Sequence, residues 1–159
     1  MTLHIRPAAP ADVPVVAELI WQLARFEKLE DQVVLTEELL EAGLFGPRPY
    51  AEALIAEDDG EPIGFALFFH SFSTFLARPG LYLEDLFVLP THRGHGVGRA
   101  LLSHLARLAV ERGCGRLEWA VLNWNKDAIR FYERLGARPN SEWTVYRLDG
   151  EALNAVGRE

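Results

Sequence analysis

A glycine-rich run, RGHGVGR at residues 93–99, is the stretch of this sequence best suited to holding a phosphate group. Glycine lets a backbone approach a ligand closely, and the N–H groups that begin a helix attract anions. Arg99 excludes two nucleotide motifs, because a Walker A loop needs Lys at that position and a G-x-G-x-x-G fingerprint begun at Gly94 needs Gly. The run therefore indicates another phosphate-containing ligand, or a connector that binds nothing.

Two adjacent acids, Glu84 and Asp85, interrupt the apolar stretch LYLEDLFVL just before this loop. Neighbouring residues of a strand point to opposite faces, so the two carboxylates serve different surroundings. Charged side chains are rarely buried without a partner. The pair therefore indicates a functional site, or an acid that reaches a sheet edge or pairs with an arginine.

Other polar residues with regular spacing lie to either side. Glu27, Glu30 and Asp31 have the spacing of three and four that places acids on one side of a helix, although a solvated acidic face is the alternative. Tyr132, in AIRFYERLG, shares a helix face with apolar residues, so by spacing alone it is a core residue whose hydroxyl finds a partner.

The elements that must position these residues are strands followed by alternating helices and strands. Strands are predicted at LHIR, AEALIAE, PIGFALFFHSF, LYLEDLFVL, RLEWAVL and Trp143–Leu148, with a turn at DDGEP. Helices are predicted from an Asp12 cap to Phe26, from a Thr36 cap to Gly43, from Gly98 to Arg112 and from an Asn125 cap to Leu135. This order predicts one mixed α/β domain over residues 1–159.

Composition restricts the classes of protein further. The 159 residues carry a net charge of −7, which argues against a nucleic-acid partner. No apolar run approaches the roughly 18 residues of a membrane helix, and prolines interrupt the first ten residues where a signal peptide would be apolar. The single Cys114 suits a reducing compartment, so we expect a cytoplasmic protein. The five histidines are scattered and form no HExxH-like pair, so no metal is expected.

Six collinear segments resemble the GNAT acetyltransferase superfamily, and within it the diamine acetyltransferase branch that includes spermidine/spermine and thialysine acetyltransferases. They are IRPA (Ile5–Ala8), FEKLEDQVVLTE (Phe26–Glu37), LYLEDLFV (Leu81–Val88), RGHGVG, AVLNWN (Ala120–Asn125) and FYERLGA (Phe131–Ala137). The resemblance covers nearly the whole chain. It implies a single-domain GNAT fold, in which a mixed, mostly antiparallel sheet splays at a central bulge and is flanked by helices. It also implies a homodimer.

The resemblance further implies acetyl-CoA as the cofactor, with its pyrophosphate on the N–H groups of residues 94–99 and its pantetheine arm along the strand before the loop. It makes Glu84 the general base, through a water, and Tyr132 the general acid that protonates the leaving thiolate. The implied cofactor-binding residues are Leu86, Phe87, Val88, Arg93, Gly94, His95, Gly96, Val97, Gly98, Arg99, Asn125, Lys126, Ala128, Tyr132 and Arg134.

The implied substrate is a small cationic amine. The family would bind it through Phe26, Glu27, Glu30, Asp31, Glu84, Asp85, Glu118, Trp119, Ala120 and Trp143. Lys28 among the acids, and Phe75 and Arg78 where polyamine-specific relatives carry an acid and a tryptophan, favour a shorter thialysine-like or lysine-like amine at least as well as a polyamine. Acetylation of a protein N-terminus or lysine, and a non-catalytic CoA-binding regulator, are the alternatives.

Overall fold

The computed structural model describes all 159 residues and contains five strands and five α-helices. The strands are β1 (Leu3–Pro7), β2 (Glu52–Asp58), β3 (Glu61–Ser73), β4 (Arg78–Val88) and β5 (Leu117–Trp119). The helices are α1 (Val13–Phe26), α2 (Glu37–Phe45), α3 (Val97–Glu111), α4 (Lys126–Arg134) and α5 (Gly150–Gly157). Two compact units are described in turn, Met1–Ala120 with the whole sheet and Val121–Glu159 with α4 and α5.

The five strands form one mixed sheet in the order β1-β2-β3-β4-β5. Neighbours from β1 to β4 are antiparallel, and β5 lies parallel to β4. Between β2 and β3, Asp59 and Gly60 both have positive φ, of 50° and 85°, which is the type I′ hairpin geometry that Asp-Gly favours. The predicted turn at DDGEP and the mixed, mostly antiparallel sheet are therefore confirmed.

Strand β4 carries a bulge at Glu84. Leu67 of β3 lies opposite Asp85, whereas Phe68 lies opposite Leu83, so Glu84 is an extra residue without a cross-strand partner. The pairing of β4 with β5 ends at Leu83. From Glu84 to Val88 one edge of β4 has no strand beside it, and the predicted splay at a central bulge is confirmed.

Alternating apolar residues give the sheet two buried faces. On one face a cluster that includes Ile55, Phe65 and Phe87 packs against α1 and α2. Helix α3 contacts all five strands through residues outside that cluster, among them Leu101 and Leu105. Helices α1 and α2 therefore cover one face of the sheet and α3 covers the other. Every helix of the chain is too short or too polar to span a lipid bilayer.

Two of the three predicted helix caps are confirmed. The side chains of Thr36 and Asn125 each accept a hydrogen bond from the backbone N–H three residues further on. Asp12 precedes α1 as predicted, but no cap bond forms and its two oxygens accept from Arg6 at 2.7 and 2.9 Å. The prediction of a capping side chain there is wrong, because a bidentate guanidinium competes for the carboxylate.

Helix α2 runs past Gly43, its predicted end, to Phe45. Gly43 keeps the helical conformation, since glycine in a helix costs only about 1 kcal/mol relative to alanine. The helix ends at Gly46 instead, where a Cβ atom would lie 2.5 Å from the Ala42 carbonyl oxygen. The lack of a Cβ atom at Gly46 therefore lets the chain leave α2 close to this carbonyl, and Gly43 does not end the helix.

The predicted strand Trp143–Leu148 does not form. These residues have no regular structure, and Tyr146 is 93% exposed. A segment forms a strand only when a partner satisfies its backbone groups, and Val121–Glu159 contains no strand. Helix α5, which the sequence did not predict, follows instead, and β5 ends at Trp119 rather than at the predicted Leu122.

Candidate active site

The bulge gives Glu84 and Asp85 different surroundings. Glu84 is exposed. Asp85 lies opposite Leu67, which packs against the cluster under α1 and α2. Because residues directly opposite each other share a face of the sheet, the Asp85 carboxylate lies on the α1 and α2 side, where it is largely buried.

Three carboxylates influence one another in this region. Burial, and then the negative charges of Glu84 and Glu27, raise the pKa of Asp85 to about 6. Burial also raises the pKa of the half-buried Glu27. A bound ammonium would relieve both penalties by supplying the opposite charge. The three acids Glu27, Glu84 and Asp85, called here the acidic cluster, are therefore suited to a cationic group.

A Schellman motif at the end of α1 places Glu27. The Leu29 N–H donates to the Ala24 carbonyl at 2.9 Å, and the Lys28 N–H donates to the Arg25 carbonyl at 3.1 Å. Lys28 adopts φ +61°, in the left-handed region where this motif usually has glycine. The helix therefore stops abruptly, with Glu27 at its C-cap.

The prediction that Glu27, Glu30 and Asp31 share one side of a helix is wrong. The left-handed residue after Glu27 ends α1, and Glu30 and Asp31 lie in a separate 3-10 turn, Glu30–Gln32. Both of these acids are exposed. Of the three, Glu27 is the one whose charge raises the pKa of Asp85.

The glycine loop connects β4 to α3 through a 3-10 turn, Pro90–His92. Gly94 and Gly96 have φ of +79° and +83°, and nothing lies within 4 Å of a Cβ atom built at either. A bond of 2.9 Å joins the Ala100 N–H to the Gly96 carbonyl, so the N–H groups of residues 97–99 precede the helical hydrogen bonds. Open backbone and free first-turn N–H groups fit an anionic ligand.

The side chains of the loop differ in exposure. Val97 is buried beneath the start of α3, and Gly98 is half-buried. The predicted cofactor residues His95 and Arg99 are exposed. The backbone at Gly94 and Gly96 is accessible, and so are the side chains of His95 and Arg99.

Residues Leu86, Phe87 and Val88 pair with β3 on one side only. Gly64 of β3 lies opposite Val88, and a Cβ atom there would be 2.7 Å from the Phe87 carbonyl oxygen. Glycine at this position therefore allows the two strands to approach. The other edge of β4 faces no strand and can pair with a peptide-like ligand.

Arg93 turns back from the loop onto two aromatic rings. Its guanidinium carbon lies 4.8 Å from the centre of the Phe26 ring and 5.2 Å from that of Phe87. Its Nε donates to the Val88 carbonyl at 2.9 Å. Burial lowers the pKa of Arg93. The side chain therefore joins the end of α1 to the end of β4.

Strand β4 contributes one residue that the sequence analysis missed, Tyr82. Glu118 has Tyr82 as its partner on β4 and lies 3.3 Å from the Arg116 Nε. Burial, and then the charges of Glu84 and Glu118, raise the pKa of Tyr82. Tyr82 lies opposite Phe69, two residues from Leu67 on β3, so it shares the sheet face of Asp85. The bulge at Glu84 interrupts the alternation of β4, so the sequence period alone could not identify Tyr82. Beside Glu118, Trp119 is half-buried and Ala120 exposed.

The unit Val121–Glu159 carries the remaining predicted residues. Asn125 caps α4 by accepting the Ala128 N–H at 3.3 Å. One to two turns later Tyr132 is half-buried, with its ring centre 5.5 Å from that of Phe131. The other predicted residues of this unit are exposed: Lys126, Arg134 and Trp143.

Within Met1–Ala120 the structure therefore assembles two groups of predicted residues. One is the acidic cluster, and the other is Arg93 with Phe26 and Phe87. Glu30 and Asp31 are exposed in the 3-10 turn that follows α1. No group of three or more histidine, cysteine, aspartate or glutamate side chains is placed to hold a metal ion.

A sheet that opens at a bulge beside a glycine loop and a helix start defines the class of protein. The Acetyltransferase (GNAT) family matches residues 16–137, and the chain belongs to this family.

Similar proteins make the class more specific. The chain is 41% identical to the thialysine N-epsilon-acetyltransferase of Bos taurus, over 96% of this chain and 95% of that protein. It is 34% identical to the L-ornithine N5-acetyltransferase NATA1 of Arabidopsis thaliana, over 99% and 89% of the two chains. An integron cassette protein from the mobile metagenome of V. cholerae superposes with a TM-score of 0.84 at 28% identity, over 100% and 99% of the two chains. The protein is therefore an enzyme, an N-acetyltransferase.

Proposed function

We propose that this enzyme transfers the acetyl group of acetyl-CoA to a primary amine of a small cationic substrate: a diamine, a polyamine or a thialysine-like amino acid. The observation that carries the proposal is the acidic cluster at the bulge of β4. Burial and the negative charges of Glu84 and Glu27 raise the pKa of Asp85 there, and a bound cation would offset both effects. The relatives named for thialysine and L-ornithine favour the amino-acid members of this class.

The residues around the glycine loop fit acetyl-CoA. The open, left-handed glycines 94 and 96 and the N–H groups of residues 97–99 suit its pyrophosphate. The unpaired edge at Leu86–Val88 suits the amide groups of its pantetheine arm. When bound, acetyl-CoA supplies a thioester carbonyl that an unprotonated amine can attack.

Glu84 and Tyr132 carry the proton transfers in this proposal. An alkylammonium has a pKa of roughly 10 and must lose a proton before it attacks, and exposed Glu84 accepts that proton through a water. As the C–N bond forms and the C–S bond breaks, Tyr132 protonates the departing thiolate. Asp85 and Glu27 hold the distal cationic group of the substrate.

A substrate screen tests the proposal. The protein is incubated with acetyl-CoA and thialysine, ornithine, lysine, short diamines, spermidine or lysine-containing peptides, and release of the CoA thiol is measured. We expect kcat/KM at least about tenfold higher for the free amines than for the peptides, because the carboxylates of the acidic cluster complement compact cations. Turnover on peptides alone would indicate a protein acetyltransferase, and no turnover on any amine would indicate a CoA-binding regulator.

Two conservative variants test the mechanism. We expect Glu84→Gln and Tyr132→Phe each to lower kcat by about 10²- to 10⁴-fold, the usual size of an acid–base contribution. The control is Glu41→Gln, at an exposed acid of α2 outside the site, which should leave kcat unchanged. Near wild-type turnover in both site variants would refute the assigned roles.

We also propose that the enzyme acts as a homodimer in the cytoplasm. The exposed apolar side chains of residues 143–148 support the dimer, because large exposed apolar surfaces commonly mark interfaces. A single free cysteine, Cys114, suits a reducing compartment.

A further inference from the structure

Arg93 belongs to the glycine loop in sequence but not in its contacts. Its guanidinium carbon lies 4.8 Å from the centre of the Phe26 ring and 5.2 Å from the centre of the Phe87 ring. Its Nε–H donates a hydrogen bond to the Val88 carbonyl at 2.9 Å. Three elements thus meet at one side chain: the last residue of α1, the last two residues of β4 and the loop itself.

The side chain lies on the α1 and α2 face of the sheet. Phe87 is part of the buried cluster that packs against α1 and α2. Helix α3 follows the loop and packs through residues outside that cluster. The contacts of the Arg93 side chain are therefore with the end of α1 and the end of β4.

Phe26, which Arg93 contacts, is the chain neighbour of Glu27, a member of the acidic cluster. Glu27 follows Phe26 directly, at the C-cap of α1, and its charge acts on Asp85. A movement of Phe26 would carry Glu27 with it, because the Schellman motif makes this end of α1 a rigid turn.

We propose that Arg93 is a positioning residue, which fixes the end of α1 against the end of β4 so that Glu27 stays in the acidic cluster while the glycine loop keeps its path. The inference rests on the proposed function for the identity of the amine and the cofactor, but its geometric part concerns this chain alone. Arg93 links amine binding to the shape of the cofactor loop.

Arginine is the side chain that can do this. Its planar guanidinium can contact two aromatic rings while Nε–H donates a hydrogen bond, whereas the ammonium of lysine is a compact point charge. Arg93→Lys should therefore keep the charge but restore only part of the function that Arg93→Ala loses.

Steady-state kinetics of single and double variants test the proposal. We expect Arg93→Ala and Phe26→Ala each to raise the KM for the amine about tenfold with kcat within about threefold of wild type, since they displace Glu27 and not Glu84. The double variant should be no worse than either single one, because both remove the same contact. Arg107→Ala is the matched control, at an exposed arginine of α3 bonded to Ser103, and should change neither constant.

Hydrogen exchange provides a readout that needs no substrate. We expect the Leu29 N–H, bonded to Ala24 at 2.9 Å, to exchange at least about tenfold faster in Arg93→Ala than in wild type or in Arg107→Ala, at an unchanged far-UV spectrum. If the enzyme acetylates none of the amines tested, the proposed function fails and this measurement still decides the role of Arg93. A rise in the KM for acetyl-CoA alone, additive effects of Arg93→Ala and Phe26→Ala, or unchanged exchange at Leu29 would each overturn the proposal.

Discussion

Glu84 and Asp85 are neighbours in the chain, yet a single extra residue in β4 gives them separate environments. Glu84 occupies the bulge and is exposed, whereas Asp85 turns towards α1 and has a pKa of about 6. A carboxyl group with a pKa of about 6 is half ionised at pH 6, and a cation bound beside it favours the ionised form. The two acids are thus suited to different tasks, proton acceptance at Glu84 and recognition of positive charge at Asp85.

The burial of Asp85 predicts a pH-dependent change in stability. Its pKa in the folded protein lies above the ordinary value of 3.8, so the ionised form costs stability above pH 6, and this cost falls as the pH drops from 6 to 4. Asp85→Asn should therefore raise the free energy of unfolding by roughly 1–3 kcal/mol at pH 7.5 and leave it nearly unchanged at pH 4. Urea denaturation at both pH values measures the difference.

The control for that experiment is Glu84→Gln, because Glu84 is exposed and its replacement should change stability by less than about 0.5 kcal/mol at either pH. A loss of stability at pH 7.5 in Asp85→Asn would contradict the prediction. It would mean that the carboxylate has a stabilising partner in the folded protein.

Among the elements, local signals predicted most of the fold. The caps at Thr36 and Asn125 and the Asp59-Gly60 turn were recognisable because each depends on residues a few positions apart. The resemblance indicated a bulge in this strand, but its exact position at Glu84 depends on the register of β3 against β4, which only the folded sheet defines.

The errors lie where a non-local partner decides the outcome. Residues 143–148 include aromatic and β-branched side chains, which favour strands, but have no strand in their own unit to pair with. Asp12 has the position of a cap but is bound by Arg6. The left-handed Lys28, which separates Glu27 from Glu30, could not be foreseen because lysine rarely adopts φ +61°. The partners of Arg93 and the approach of Tyr82 to Glu84 required the folded sheet.

A side chain added to the glycine loop before α3 should affect both stability and cofactor binding. Gly96 is the N-cap of α3 at φ +83°, a conformation in which a β-branched side chain is strained. Gly96→Val should therefore cost about 1–2 kcal/mol of stability and raise the KM for acetyl-CoA at least about tenfold by closing the approach to the backbone, with little change in the KM for the amine. Kinetics with each substrate varied in turn, at a temperature where the variant is folded, measure both constants.

Gly43→Ala is the matched control for the loop variant. Gly43 also has open space at its Cβ position but lies within α2 with helical backbone, so alanine should add up to about 1 kcal/mol of stability and leave both KM values unchanged. An unchanged KM for acetyl-CoA in Gly96→Val would contradict the assignment of the pyrophosphate to this loop.

At the scale of the whole molecule, apolar exposure is concentrated towards the C-terminus. Trp143, Val145, Tyr146 and Leu148 are 75%, 90%, 93% and 53% exposed. Scattered apolar residues are normal on a surface, but a contiguous run is typical of an interface. A segment that pairs with no strand can also add its backbone donors and acceptors to those of a second copy of the chain.

We therefore predict that the protein is a dimer in solution. Light scattering after size exclusion should give twice the chain mass of 17.9 kDa at micromolar concentration. Val145→Asp should shift the mass towards the monomer, because a charge would have to be buried without a partner in the interface. Since Val145 is 90% exposed within the chain, the substitution should leave the far-UV spectrum unchanged. Val110→Asp, at an isolated exposed valine of α3, should remain dimeric, whereas a wild-type mass of one chain would refute the dimer.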